Sequence, residues 1–463
     1  MNAKGAIPPL RYRLCELEWQ SAADARPSIA LLPAGGEVWE DFLDTIGVTL
    51  DQFCAEGPGG WLRGYAEALA CTDFRTVLIL FSARVAVPRR YVEDVGGNVV
   101  LVLPVPRWYA LARHRAPTYR DVLTGNWTRH GQSRSALLLG SVLSHLSTPL
   151  AMLARALRAE GCRALICQEY EYFRLDAALL LGRLLRLPVF ATFQGSGVDP
   201  NLLSRAVKRH VLRRTAGLLV APREEMERVG RSYGDAVPLF QIFNPVDTEA
   251  WQPGGREAAR TALGAGPHTR IAVWHGRIAL RAKGLDVLLN AWERLRAERP
   301  GADFRLLLLG TGEDAEAFGQ HIARLGDARV SWTNNYVTDR AMIQRFLVAG
   351  DVYAFPSRHE GFAVAPLEAM ACGLPVVAAD ASGVPDILAN GAEDGGIIVP
   401  RGDVAALAEA LGRLLDNPAL STQLGARARR RIETTFSPKA VGRQLHMVFT
   451  DAGIPMPMLR AIT

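Results

Sequence analysis

The chain has 463 residues, 49% of them hydrophobic and 22% charged, with a formal net charge of +6. That length exceeds one ordinary core and points to two, and the balance of apolar and charged residues excludes a disordered or fibrous chain. The mild positive excess suits anionic ligands without predicting a nucleic-acid partner, and the six cysteines (Cys15, Cys54, Cys71, Cys162, Cys167, Cys372) contain no C-x-x-C pair, which argues against a disulfide framework or a zinc site and fits a reducing compartment.

The start, MNAKGAIPPLRYRLCELEW, has no apolar run of the kind a signal peptide needs, so a cytoplasmic protein is expected. A strand is read at 28–33 (SIALLP), followed by Gly35-Gly36. A second glycine cluster, at 57–60, directly precedes the helical segment WLRGYAEALA. Further strands are read at 76–81 (TVLILF) and 98–104 (NVVLVLP). Between 107 and 134 the sequence holds six arginines against the single acid Asp121, with Trp108, Tyr109, Tyr119 and Trp127 interleaved. Such a mixture fits a membrane surface or a phosphate-bearing lipid acceptor, with the inner membrane face as the location. A solvated, partly packed surface is the stronger reading of the same residues. The stretch 135–154 carries no Asp, Glu, Lys or Arg, yet its serines, His145 and Pro149 make it weakly hydrophobic, and it reads as a buried helix rather than a membrane span.

Four more strands follow at 164–168 (ALICQ), 188–193 (PVFATF), 217–221 (GLLVA) and 238–243 (PLFQIF). The segment 244–255, NPVDTEAWQPGG, has the composition of a linker. Beyond it strands recur at 271–276, 304–310, 329–332, 351–355, 375–379 and 396–400, separated by amphipathic segments such as LDVLLNAWERLRAE. A last helix is expected near 438–452. Strands alternating with helices imply parallel pairing and right-handed crossovers. The expected architecture is therefore α/β, two doubly wound Rossmann-like domains facing a central cleft: residues 1–245, completed by 438–463, and residues 246–437. Ligands of such sheets bind beyond the strand ends.

Chemistry concentrates in PSRHEGFAVAPLEAMACGLPVVA, residues 356–378. Glu360 and Glu368 are separated by seven residues after a strand. Proline is tolerated in the first helical turn, so Pro366 predicts a helix starting near Ala365. Glu368 then sits in that first turn, and the uncapped amides of 361–365 face the same helix mouth, an arrangement suited to a diphosphate. Each glutamate alone would read as a dipole-complementing or solvated charge. A second group, HGRIALRAKGLDVLL, places Arg277 and Lys283 between a strand and a helix. Two cations there would neutralise a leaving diphosphate, a role otherwise filled by a metal. No Asp-x-Asp occurs in the chain, in keeping with a clamp made of protein groups; neither metal nor other cofactor is expected.

These segments resemble the Glu-x7-Glu and G-R-x5-K-G patterns of retaining GT-B enzymes of glycosyltransferase family 4, at Glu360 and Glu368, and at Gly276, Arg277, Lys283 and Gly284. The resemblance runs from about 276 to 415 and thins to topology before that. It implies that Arg277 and Lys283 hold the diphosphate, that Glu360 contacts the donor sugar, and that Glu368 holds the ribose hydroxyls. It further implies that Gly276, Gly361, Phe362, Ala363 and Val364 line the donor. The amino-terminal half would bind the acceptor. A glycine there is expected near the donor phosphate, with Gly60 preferred over Gly35-Gly36, and Gln194 stands where many members have histidine. Glutamine can orient a hydroxyl but cannot act as a base near neutral pH. The implied activity is transfer of a hexose-type sugar from a nucleotide-diphosphate-sugar to a hydroxyl on a glycan, lipid-linked or small-molecule acceptor. The alternatives are a nucleotide-sugar 2-epimerase and an inactive nucleotide-sugar-binding protein.

Overall fold

A computed structural model describes residues 12–15, 26–34, 37–57, 59–113, 144–195, 202–337 and 339–456. The chain divides into two compact units. The first is Met1–Val220 with Glu225–Ile242 and Gly442–Thr463; the second is Phe243–Val441 with Ala221–Glu224.

The first unit is built on β1 (Tyr12–Cys15), β2 (Ser28–Leu32), β3 (Arg75–Ser82), β4 (Arg89–Glu93), β5 (Val99–Pro104), β6 (Cys162–Cys167), β7 (Val189–Thr192), β8 (Gly217–Val220) and β9 (Leu239–Gln241), in the sheet order β1-β4-β5-β3-β2-β6-β7-β8-β9. Every residue of β2 and β3 is buried, as expected of parallel strands covered on both faces. Two strands depart from the all-parallel expectation. β4 pairs antiparallel with β5, and β1 antiparallel with β4. The reason is a hairpin: Gly96 and Gly97, both at positive φ, turn the chain between a charged run and an apolar one, and Asn98 donates to Glu93 at 2.7 Å across it. Phe449 of the closing helix Pro438–Asp451 packs edge-on against Phe74, just before β3, 5.8 Å between centroids.

Of the basic-aromatic stretch only 107–113 is described, as the helix Arg107–Ala112 with Tyr109 buried and Trp108 and Leu111 exposed; the remainder lies outside the described residues. The stretch 135–154 likewise falls partly outside them, and the single helix expected there is interrupted. A separate helix, Leu150–Ala159, starts after Pro149, because the residue before a proline is pushed out of helical geometry. No helix among the described residues is long and apolar enough to cross a membrane.

The second unit carries β10 (Arg270–His275), β11 (Phe304–Leu309), β12 (Val330–Thr333), β13 (Val352–Phe355), β14 (Val376–Ala379) and β15 (Gly396–Val399), all parallel, in the order β12-β11-β10-β13-β14-β15. The helix Leu285–Glu298 buries Leu285, Leu288, Trp292 and Leu295 at helical spacing. These meet Leu407, Leu411 and Leu414 of the helix Val404–Asp416 in one core. Each such buried side chain contributes about 1.5–3 kcal/mol of transfer free energy. The segment 244–251 is packed rather than loose, while 252–255 is exposed: Trp251 is buried, and buried Asn244 donates to the Phe362 carbonyl at 3.1 Å. Strand order reverses between β10 and β13, so their C-terminal ends lie side by side at a switch point, where an open α/β sheet offers a ligand crevice.

Candidate functional site

β10 ends at His275, and loop 276–284 leaves the sheet through Gly276. Backbone bonds fix its course: Gly276 N–H to the Leu309 carbonyl at 3.0 Å, Ile278 N–H to Thr311 at 2.9 Å, and Lys283 N–H to Ala279 at 2.8 Å. The Asp314 carboxylate accepts from Leu280 N–H at 2.8 Å. Gly310 has φ +139°, and a Cβ there would lie 1.9 Å from the Gly276 carbonyl oxygen. The glycine at the end of β11 is therefore required by packing against this loop.

The loop after β13 is tied to the first. Arg358 N–H and His359 N–H donate to the Ala282 carbonyl at 2.8 and 3.2 Å. Gly284 has φ +63°, and a Cβ would come within 2.0 Å of the Pro356 carbonyl oxygen, so only glycine allows this approach. The Arg358 guanidinium grips Asp286 with two bonds of 2.7 and 2.8 Å. Burial would raise the Asp286 carboxyl, but this fork outweighs it and holds the group below the usual carboxylate range.

Two loops locked in this way bring together groups far apart in sequence. Lys283 Nζ lies 2.7 and 2.9 Å from the two carboxylate oxygens of Glu360. The lysine side chain is 21% exposed and the glutamate 8%. The pair is thus largely dry on the carboxylate side, and its attraction mainly offsets desolvation. An ammonium has three donors, so one remains for an anion. Arg277, half exposed, donates to Glu313 at 3.1 Å.

The helix Ala365–Ala371 begins where Pro366 predicted, with no side-chain cap at its start. Glu368 occupies its first turn and lies 2.9 Å from His275 Nε2 at the end of β10. Between the two glutamates, Gly361 is buried, and Ala363 and Val364 are half-buried. The Phe362 ring is a core group, stacked on Phe243 at 5.4 Å, so what Phe362 presents to a ligand is backbone. Asp386, in the turn after β14, is buried and accepts from Arg223 N–H at 3.1 Å.

Residues 269–417 match the family model described as glycosyl transferases group 1. That segment is similar to the group 1 glycosyl transferases. A D-inositol 3-phosphate glycosyltransferase of Saccharomonospora viridis is 34% identical over 245 residues, 50% of this chain and 56% of that protein. An alpha-maltose-1-phosphate synthase of Mycobacterium tuberculosis is 34% identical over 239 residues, 48% of this chain and 59% of that one. The chain thus spans a little over half the length of the curated relatives it matches. Sucrose-phosphate synthase from Thermosynechococcus elongatus superposes with a TM-score of 0.64 at 18% identity, covering 92% of this chain and 98% of the other. Anabaena HepE in complex with UDP gives 0.64 at 16% identity, covering 92% and 100%. Likenesses at this identity establish the α/β GT-B fold.

Gly276, Arg277, Lys283, Glu360, Glu368 and the 361–364 loop all fall within the group 1 segment, at the ends of β10 and β13 and the start of the helix between β13 and β14. Gly60 and Gln194 belong to the first unit. Gly60 opens the helix Gly60–Ala70 at φ +54°, with open space where a Cβ would stand. Gly35-Gly36 lies outside the described residues. The Gln194 N–H donates to Glu169 at 3.0 Å. Glu171 accepts from the Tyr233 hydroxyl at 2.5 Å and pairs with Arg228 at 3.0 Å, so both glutamates near β6 brace the first unit. Sequence reasoning passed over His275. Its signal was a polar side chain ending an apolar strand directly before Gly276-Arg277.

Proposed function

We propose that this protein is a retaining glycosyltransferase that takes a hexose-type sugar from a nucleotide-diphosphate-sugar and delivers it to a hydroxyl acceptor. The observation carrying the reading is the meeting of Lys283 with Glu360 at a switch point, between loops that glycine and Arg358 hold rigidly in register. In the reaction, the bond between the anomeric carbon and the diphosphate oxygen breaks, and its electron pair leaves with the diphosphate. Lys283 and Arg277 stabilise that charge without a metal. Glu360 positions the sugar hydroxyls, and Glu368 holds the ribose. The acceptor oxygen bonds to the anomeric carbon on the face being vacated, and its proton passes to the departing diphosphate.

Relatives support a phosphorylated or sugar acceptor class without choosing one. Their names include an inositol 3-phosphate glycosyltransferase and a maltose-1-phosphate synthase. A solved neighbour is in complex with UDP-glucose, which supports a nucleotide-sugar donor. The first unit would bind the acceptor, with Gly60 and Gln194 as candidate ligand contacts, and the protein would act in the cytoplasm. The test is incubation with UDP-, GDP- and ADP-sugars and a panel of hydroxyl acceptors, followed by NMR of the product's anomeric proton. Retained configuration supports the reading; inversion overturns the mechanism. Consumption of UDP-N-acetylglucosamine without acceptor would replace it with epimerisation. Nucleotide binding without turnover on any acceptor would leave a binding protein.

A further inference from the structure

We propose that His275 is a positioning residue: by fixing one oxygen of Glu368 it makes the site selective for nucleotides with a ribose diol. The inference rests on Glu368 being the ribose-binding group.

His275 is the last residue of β10, held in register with Leu309 of β11. Its Nε2 lies 2.9 Å from Glu368 Oε2, and the two side chains are 9% and 16% exposed. The Tyr353 hydroxyl donates to the His275 carbonyl at 3.1 Å. Burial pushes that hydroxyl well above its usual range, so it stays a donor. The Tyr353 ring stands edge-on to the imidazole, 5.5 Å between centroids. Nδ1 of His275 is buried with no hydrogen-bond partner.

These contacts select one arrangement. An ionised carboxylate only accepts hydrogen bonds, so Nε2 carries the proton that Glu368 receives. Nδ1 is then a bare lone pair; the other tautomer would bury a donor with no acceptor, the more costly state. The imidazole is thus a one-way donor clamped between Tyr353 and Glu368. A glutamate in the first turn of a seven-residue helix has three side-chain torsions to fix before it can read a vicinal diol. The contact from β10 fixes them in advance and leaves Oε1 to accept from a ligand hydroxyl. Preorganisation of this kind lowers the ordering cost of binding.

Calorimetric titrations with uridine, guanosine and adenosine diphosphates, each beside its 2′,3′-dideoxy counterpart, test this on the full chain. His275→Leu should bind the ribonucleotide about tenfold more weakly, as for loss of one hydrogen bond to a charged group, and bind the dideoxynucleotide as the wild type does. His275→Gln, whose amide can donate to the same oxygen, should recover most of the difference, and thermal melting confirms that each variant is folded. A His275→Leu protein that loses both ligands in equal proportion, or loses neither, overturns the positioning role. Glu368→Gln separates the two readings: if it leaves the preference for ribose over dideoxyribose unchanged, the ribose assignment itself fails. Failure of the wild type to bind any of the three diphosphates removes the donor site altogether.

Discussion

Replacing Lys283 by methionine removes the ammonium and keeps most of the side chain's bulk. Glu360, with 8% of its side chain exposed, is then left with a charge and no cation across 2.7 Å. Stripping one partner from a fully buried pair costs about 3–5 kcal/mol. Lys283 is 21% exposed and lets water reach the gap, so the expected loss is nearer 2–3 kcal/mol. For a unit of this size that lowers the calorimetric transition by roughly 5–10 °C. Adding Glu360→Gln removes the stranded charge while preserving shape. The double variant should therefore be more stable than Lys283→Met alone, a coupling that a double-mutant cycle reads directly. If Lys283→Met melts with the wild type, or if the second substitution lowers stability further, the pair is not the desolvated contact described here.

Three further outcomes follow. Gly284→Ala places a Cβ 2.0 Å from the Pro356 carbonyl oxygen at φ +63°; left-handed backbone alone costs about 1–2 kcal/mol, so a lower melting temperature and loss of nucleotide binding are expected together, and unchanged binding would show that the loops need not touch. In the first unit, burial pushes the Asp41 carboxyl from 3.8 up to about 6, although the Arg113 guanidinium pulls it down. The folded state thus holds this proton more tightly than the unfolded one. Its contribution is full below about pH 3.8 and fades as pH rises through about 6, by at most about 3 kcal/mol. Asp41→Asn should flatten that part of the stability profile, and an unaltered slope would remove Asp41 as its source. Lys283→Ala should slow sugar transfer by about 2.7–4 kcal/mol of transition-state stabilisation, the range for deleting a charge-stabilising donor; near-normal turnover would exclude the ammonium from the chemistry.

The second unit was the more legible in sequence. Except for β12 (VSWT), its strands are largely apolar runs with glycine or proline at one end, and 285–298 is a helix because Leu285, Leu288, Trp292 and Leu295 share one face. Pro366 located the start of the helix that carries Glu368. The hairpin of β4 was hidden because RRYVE is charged and joins β5 through a tight turn with no helix between them, so alternation with helices fails as a guide. Pairings across the fold were hidden for a different reason. His275 and Glu368 are 93 positions apart, and nothing local in either stretch encodes the other. The family resemblance assigned Lys283 and Glu360 to a common ligand, whereas their direct contact emerges only from Ala282, Gly284 and Pro356 holding two loops together.

A crystal structure of the full chain with the tightest-binding nucleoside diphosphate would bear most directly on the account. It should show diphosphate oxygens within hydrogen-bond reach of Lys283 Nζ and the Arg277 guanidinium, with the ribose diol against Glu368. A diphosphate bound elsewhere, or held by a metal with both cations turned away, would contradict it.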